Sequence, residues 1–205
     1  MTLSVEGVSV RRGGRVVIAD LTLGVAAGEV VGIVGKNGCG KSTLLLSVAG
    51  VIEPRAGRIS IAGASVWGSR SERLRARTAL GYVPEGADPP GFLRGSELWA
   101  LVSATRGCES PTQEVRDALG LDELGETAIE RMSLGQRRRA CLGAAFMGPP
   151  ALLVLDEPDN GLDVKRLAGL VMLVRRHAAA GRSCLLASHD AALLDQLGAR
   201  VVSIA

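Results

Sequence analysis

One segment restricts the possible folds of this chain more than any other: "EVVGIVGKNGCGKST", Glu29 to Thr43. Its first half is apolar on both faces, as a strand buried inside a parallel sheet requires. From Gly35 it fits the pattern G-x-x-x-x-G-K-[ST], and Lys41 to Ala49 then reads as a helix stopped by Gly50, with Pro54 a little beyond. Strand, glycine loop and helix in that order turn consecutive backbone N–H groups toward an anion, and the helix N-terminus adds a favourable dipole. Gly35, Asn37, Gly38, Cys39, Gly40, Lys41, Ser42 and Thr43 are therefore expected to hold phosphate. Lys41 would reach the β- and γ-phosphates, and Ser42 would ligate Mg²⁺. An ordinary glycine turn with a lysine cap is the plainer alternative, and the flanking strand and helix argue against it. Cys39 has no evident base beside it and reads as a small filler.

The rest of the composition narrows the class. Of 205 residues, 47% are hydrophobic and 22% charged, which suits one sizeable core. Aromatics are only 2%, so Leu, Val, Ile and Ala must build that core. The net charge of +3 is too mild to mark a nucleic-acid surface by itself. Lys36, Lys41 and Lys165 are the only lysines, and two of them fall in the glycine loop. Cys39, Cys108, Cys141 and Cys184 form no CxxC pair, so reduced thiols are expected rather than a metal site. Glu6, Arg11 and Arg12 interrupt any leader-like apolar run, and no segment approaches the roughly 20 apolar residues needed to cross a bilayer.

Along the chain, "LSVEGVSV" and "RVVIADLTLGV" alternate around Gly13-Gly14, predicting antiparallel strands with one wet face. "GRISIAGASV" returns to strand character and is expected to rejoin them. The middle is helical: Ser96 is placed as the cap of a helix carrying Leu98, Leu101 and Val102. "SPTQ", Ser110 to Gln113, reads as a capping box opening a helix that stops near Gly120. After Glu130 comes another helix. "ALLVLD" and "SCLLAS" are further buried strands, separated by the helix "GLVMLVRRHAA", and "RVVSIA" is a last short one. His177, late in that helix, is expected to favour its C-terminus. Strands alternating with helices indicate an open, mainly parallel sheet flanked by helices.

"ALLVLDEPDNGLD" ends an apolar strand in two adjacent acids, where such sheets open onto a ligand crevice. Asp156 is expected in a Mg²⁺ shell and Glu157 beside an attacking water. Strand alternation would point the two side chains differently. A solvated strand end is the alternative; the phosphate loop favours the functional reading. "SHD" places His189 where a γ-phosphate contact is useful.

Together these residues resemble the nucleotide-binding subunit of ATP-binding-cassette (ABC) transporters, over essentially the whole chain. The ordered set is the phosphate loop Gly35–Thr43, "SLGQ" at Ser133–Gln136, the strand ending Asp156-Glu157, "NGLD" at Asn160–Asp163, and His189. The resemblance implies a P-loop NTPase (RecA-like) α/β core with an N-terminal antiparallel β-subdomain (about 1–28 and 57–67). The core itself would span 29–56 and 151–205, and a helical signature subdomain 86–150. It implies an ATPase with ATP and Mg²⁺, Glu157 and His189 catalytic, and Ser42, Asp156 and Glu85 around the metal. Arg12, Val17, Ser133, Gly135, Gln136 and Asp163 would add to the nucleotide contacts, some across a pair of head-to-tail cassettes. Its partners would be a second cassette, identical or not, and an integral-membrane permease at the cytoplasmic face. Glu85, Phe92, Leu93 and Trp99 are candidates for the docking surface.

Three positions depart from the family pattern. The adenine-stacking aromatic aligns with Arg12, which can stack through its planar guanidinium or stand as a solvated hairpin residue. The usual glutamine is Glu85, which resembles exporter-type cassettes. The signature reads M-S-L-G-Q, with Leu134 replacing a glycine. The arginines Arg137, Arg138 and Arg139 follow it in the first turn of a helix, against the macrodipole, which suits phosphates or acidic partners. An importer or a haem-export-like cassette is the alternative reading. A nucleic-acid-associated relative is disfavoured by the single cassette and absent coiled-coil insert, so no nucleic acid is expected.

Overall fold

The computed structural model describes residues 1–86 and 88–204. Its strands are β1 (Leu3–Arg12), β2 (Arg15–Val25), β3 (Val30–Val34), β4 (Ala56–Ile61), β5 (Ala64–Ser65), β6 (Leu80–Val83), β7 (Leu152–Asp156), β8 (Ser183–Ala187) and β9 (Arg200–Ser203). Its helices are α1 (Lys41–Val48), α2 (Arg70–Thr78), α3 (Gly95–Arg106), α4 (Gln113–Leu119), α5 (Leu134–Phe146), α6 (Val164–Ala179) and α7 (Ala191–Gln196). One sheet is antiparallel, ordered β2-β1-β4-β5; the other is parallel, ordered β6-β7-β8-β3-β9.

Side-chain alternation along the parallel strands divides the core into two layers. Leu152 and Val154 of β7, with Leu185 and Ala187 of β8, face α1 and the antiparallel sheet, meeting Leu44, Leu45, Val5 and Ile59. Leu153, Leu155, Cys184 and Leu186 face the opposite way, toward Leu119, Leu142, Leu170 and Val174 of the helices. Burial on both faces is the reason these strands read as unbroken apolar runs. The antiparallel β1 instead alternates buried and more exposed residues, as its sequence predicts.

The helical region departs from the sequence reading at its starts. The α3 helix is capped at Arg94, where Glu97 accepts from the backbone N–H in place of a Ser96 cap, and Ser96 Oγ donates to Gly125 O instead. The N-cap of α4 is Thr112, whose hydroxyl accepts from Val115 N–H, so Pro111 and Ser110 lie outside the helix. Trp99 is buried and donates to Ala140 O at 3.0 Å, making it core rather than a docking residue. Leu93 is partly buried against the same core, whereas Phe92 is 77% exposed.

None of the three arginines opening α5 points at a phosphate site. Arg137 reaches Met132 O and Asp88. Arg138 is buried and donates to the carbonyls of Pro84, Asp156 and Glu85. Arg139 serves Leu119 O, Gly120 O and Glu123. Carbonyls left over at strand and helix ends need donors, and these guanidiniums supply them.

His177 also differs from its expected role. It lies in the last turn of α6, but it is buried edge-on against Phe146, and burial pushes its pKa down to about 4. A neutral ring adds no charge to the helix end. Between the unfolded value near 6.5 and the folded value near 4, the unfolded chain takes up a proton that the native chain refuses. Stability should thus fall as pH drops through that window, by up to about 3 kcal/mol in total. Denaturant unfolding of wild type and His177→Gln at pH 7.5, 6 and 4.5 should show the loss in wild type and a flatter profile in the variant.

Candidate functional site

All five strands of the second sheet run the same way, so their C-terminal ends meet along one edge. At that edge β3 delivers the glycine loop, β7 the acid pair, β8 Ser188-His189 and β6 Pro84-Glu85.

The glycine loop enters α1 through Gly40, whose left-handed φ of 109° leaves no side-chain cap on the helix. A Cβ there would stand 2.9 Å from Val17 O, so the hairpin and the loop can touch only through glycine. A Cβ on Gly35 would fall 2.4 Å from Ile204 O and 2.6 Å from Cys39 Sγ, which places Cys39 as a filler under the loop. Lys41 is buried and its ammonium lies along the loop, donating to Gly35 O at 2.9 Å. The uncapped first turn and this cation make the loop an anion site.

The chain leaves β7 at Asp156, and Glu157 takes a left-handed φ of 45°. The two carboxylates are therefore separated by a backbone turn, not by continued strand alternation. Glu157 N–H donates to Ala187 O, and its own carbonyl accepts from Asn160 N–H, which fixes the turn. His189 Nδ1 lies 2.8 Å from Glu157 Oε2; hydrogen bonding to Glu157, with its charge, raises the imidazole pKa. The neighbouring Ser188 Oγ donates to Asp159 Oδ1 at 3.2 Å, so the end of β8 grips the turn twice.

Asp156 is buried and its pKa is raised, chiefly by burial, with Glu85 and Glu157 adding to the effect and a Ser42 hydrogen bond opposing it. Its Oδ1 has no hydrogen-bond partner. A buried, unpartnered carboxylate oxygen beside a hydroxyl and two further acids fits a hard cation with oxygen ligands.

A cleft of about 710 Å³ gathers Arg12, Val17, Asn37, Gly38, Gly40, Lys41, Ser42, Thr43, Glu85, Glu157 and His189. It adds Asn160, which the sequence reading placed in the "NGLD" turn but not at the site; its position three residues after Glu157 was the available signal. Ser133, Gly135, Gln136 and Asp163 are not brought into this cleft. Ser133 and Gln136 form a reciprocal capping box at α5, with Ser133 N–H to Gln136 Oε1 at 2.8 Å, and Asp163 caps α6. Gly135 abuts the turn after β7 so tightly that a Cβ would fall 2.0 Å from Gly161 O.

A glycine loop between a parallel strand and a helix, faced by an acid-ended strand, is the architecture of a P-loop nucleotide-binding protein. A family model described as ABC transporter matches residues 18–160. The cytochrome c biogenesis ATP-binding export protein CcmA of Sphingopyxis alaskensis is 32% identical over 98% of this chain and 97% of its own length. The zinc import ATP-binding protein ZnuC of Cereibacter sphaeroides is also 32% identical, over 100% of this chain and 79% of its own. Among solved structures, an ATP-binding subunit of an ABC transporter superposes with a TM-score of 0.91 at 26% identity, covering 100% of this chain and 86% of that one. A dimeric ATP-binding cassette in a post-hydrolysis state with ADP and Pi shares the fold, with a TM-score of 0.85 at 20% identity over 98% and 94% of the two chains. The chain belongs to the ABC transporter family, as an ATP-binding subunit.

The left-handed Glu157 carries a backbone cost of roughly 1–2 kcal/mol. Glycine at this position removes that cost and the carboxylate repulsion with Asp156. Glu157→Gly should therefore raise the melting temperature by roughly 2–4 °C despite losing the His189 contact, as read by a thermal melt monitored by circular dichroism.

Proposed function

We propose that this chain hydrolyses ATP in a Mg²⁺-dependent manner to power transport through a separate integral-membrane permease, working at the cytoplasmic face as one of two paired cassettes. The observation that carries the reading is the Glu157–His189 pair at 2.8 Å, opening onto the same cleft as the phosphate loop. Lys41 and the first-turn amides of α1 bind the phosphates. Glu157 orients the attacking water and accepts its proton, while His189 holds that carboxylate and faces the γ-phosphate. Ser42 and Asp156, with Glu85 nearby, would hold the metal, which when bound neutralises charge on the β- and γ-phosphate oxygens.

The residues outside the cleft support the pairing. Exposed Ser133, together with Gly135 and Gln136, presents an α5 N-terminus that can approach phosphate on a second cassette, with Asp163 in the neighbouring turn. The dimeric form of one structural neighbour is consistent with this. The helical region 86–150 would dock the permease, with exposed Phe92 and the Glu85 loop at its surface. Among the described residues no helix is long and apolar enough to cross a membrane.

Export is the direction we favour, on Glu85 and on the match to CcmA over 97% of its length. Import stands as the second reading because ZnuC is equally identical. ATP-driven accumulation in inside-out vesicles carrying the co-purified permease supports export, and accumulation only in right-side-out vesicles supports import. ATPase stimulation by DNA or RNA in place of the permease would overturn both. Glu157→Gln should cut turnover by roughly 10²–10⁴-fold while ATP binding persists; near-wild-type turnover would remove Glu157 from the mechanism.

A further inference from the structure

The protein's excess positive charge is concentrated in one helix. Ser69 to Ala79, which is α2 with its two caps, holds four arginines and one glutamate, a net +3 that equals the charge of the whole chain. All the other residues together are therefore neutral. Glu72 is turned away from the excess, because its carboxylate accepts from Ser69 N–H and Ser69 Oγ at the capping box. Arg70, Arg73, Arg75 and Arg77 are exposed, and none of them forms an ion pair among the described residues.

Helical spacing sorts these residues into a stripe. Arg70, Arg73, Leu74 and Arg77 stand at i, i+3, i+4 and i+7, whereas Ala76 packs into the core layer shared by α1 and the antiparallel sheet. Leu74 is 67% exposed within that stripe, and Arg75 lies off it. The stripe stabilises nothing in its own helix. Arg73 and Arg77 repel at i,i+4, and Arg70 sits in the first turn, where the macrodipole disfavours a cation. The end of α1 adjoins it: a Cβ on Gly50 would stand 3.9 Å from Arg77 Nε, and the next residue, Val51, is 60% exposed.

We propose that the α2 stripe binds the anionic headgroups of a phospholipid bilayer, giving the cassette a membrane contact of its own beside the permease. Guanidiniums meet phosphate oxygens through paired N–H donors, which suits Arg70, Arg73 and Arg77. Each basic side chain at an anionic surface strengthens binding by roughly fivefold. Leu74 and Val51 supply a shallow apolar insertion, for which an acidic protein segment or a nucleic acid has no use. A bilayer as occupant rests on the permease reading above, which brings the chain to a membrane; the nucleotide site plays no part in it.

The test sediments the full 205-residue chain, without nucleotide or permease, with vesicles of phosphatidylcholine alone or containing roughly one-third phosphatidylglycerol. Binding is expected only to the anionic vesicles, falling by about tenfold or more between about 50 and about 500 mM salt. Arg70→Gln combined with Arg73→Gln should weaken it by about 25-fold. Leu74→Gln should weaken it several-fold at either salt concentration. The matched pair Lys165→Gln and Arg175→Gln, exposed on α6 in the other core layer, should leave it within about twofold. Circular dichroism checks that each variant is folded, and the salt dependence of wild type needs no variant at all. Absence of binding, equal binding to both vesicles, or equal loss in the α2 and α6 pairs overturns the proposal. Binding to duplex DNA or polyglutamate without binding to anionic vesicles also overturns it. None of these results bears on the permease reading, which is decided separately by ATP-driven transport.

Discussion

One buried guanidinium holds the cleft's framework together. Arg138 extends from α5 and donates to Pro84 O, Glu85 O and Asp156 O, joining the ends of β6 and β7 to the helical region. Those carbonyls sit at the last paired residue of β7 and just beyond the end of β6, where strand pairing runs out. Leaving each without a partner would cost about 1–3 kcal/mol. Burial works against the charge on Arg138, with Asp156 and Glu85 among the groups that offset it. The backbone that carries Asp156 and presents Glu85 to the cleft thus depends on a residue that never enters it.

This arrangement explains why the chemistry collects at one edge. Parallel strands bring four loop entrances together, and each entrance carries a different polar task. The glycine loop turns amides outward, β7 ends in carboxylates, β8 supplies a histidine and a serine, and β6 leads into Glu85. Local rules are broken there in consequence: Asp156 lacks a partner for Oδ1, and Glu157 adopts a backbone conformation that a glutamate rarely takes. Both costs are sustained by the two core layers on either side of β7, whose side chains hold the strand end in place.

Features written as periodic or spaced patterns were legible in the sequence. The apolar runs of β3, β7 and β8, the alternating β1–β2 hairpin and the glycine loop before α1 all appear in the fold where their patterns put them. The residues Arg12 through His189 that meet in the main cleft were largely identified too. What escaped was decided by tertiary partners. Ser96 and Ser110 are good capping residues, yet Arg94 and Thr112 occupy the caps because packing sets where α3 and α4 begin. Arg137 and Arg139 do meet acidic partners, Asp88 and Glu123, but most acceptors of Arg137, Arg138 and Arg139 are backbone carbonyls, up to 54 residues away, which no local pattern can reveal. His177 is misread for the same reason, since burial against Phe146 decides its charge.

The start of α5 and the acid turn also share a close contact. Gly135, in the first turn of α5, lies against Gly161 in the turn that begins at Glu157. Neither residue has a side chain, and the approach leaves no room for one on Gly135. A shift of the α5 N-terminus toward this turn, which bears Glu157, would meet backbone directly. Ser188 on Asp159 and His189 on Glu157 grip the other side of that turn. The start of α5 and the carboxylate end of β7 are thus joined by backbone contact on one side of the turn and by side-chain hydrogen bonds on the other.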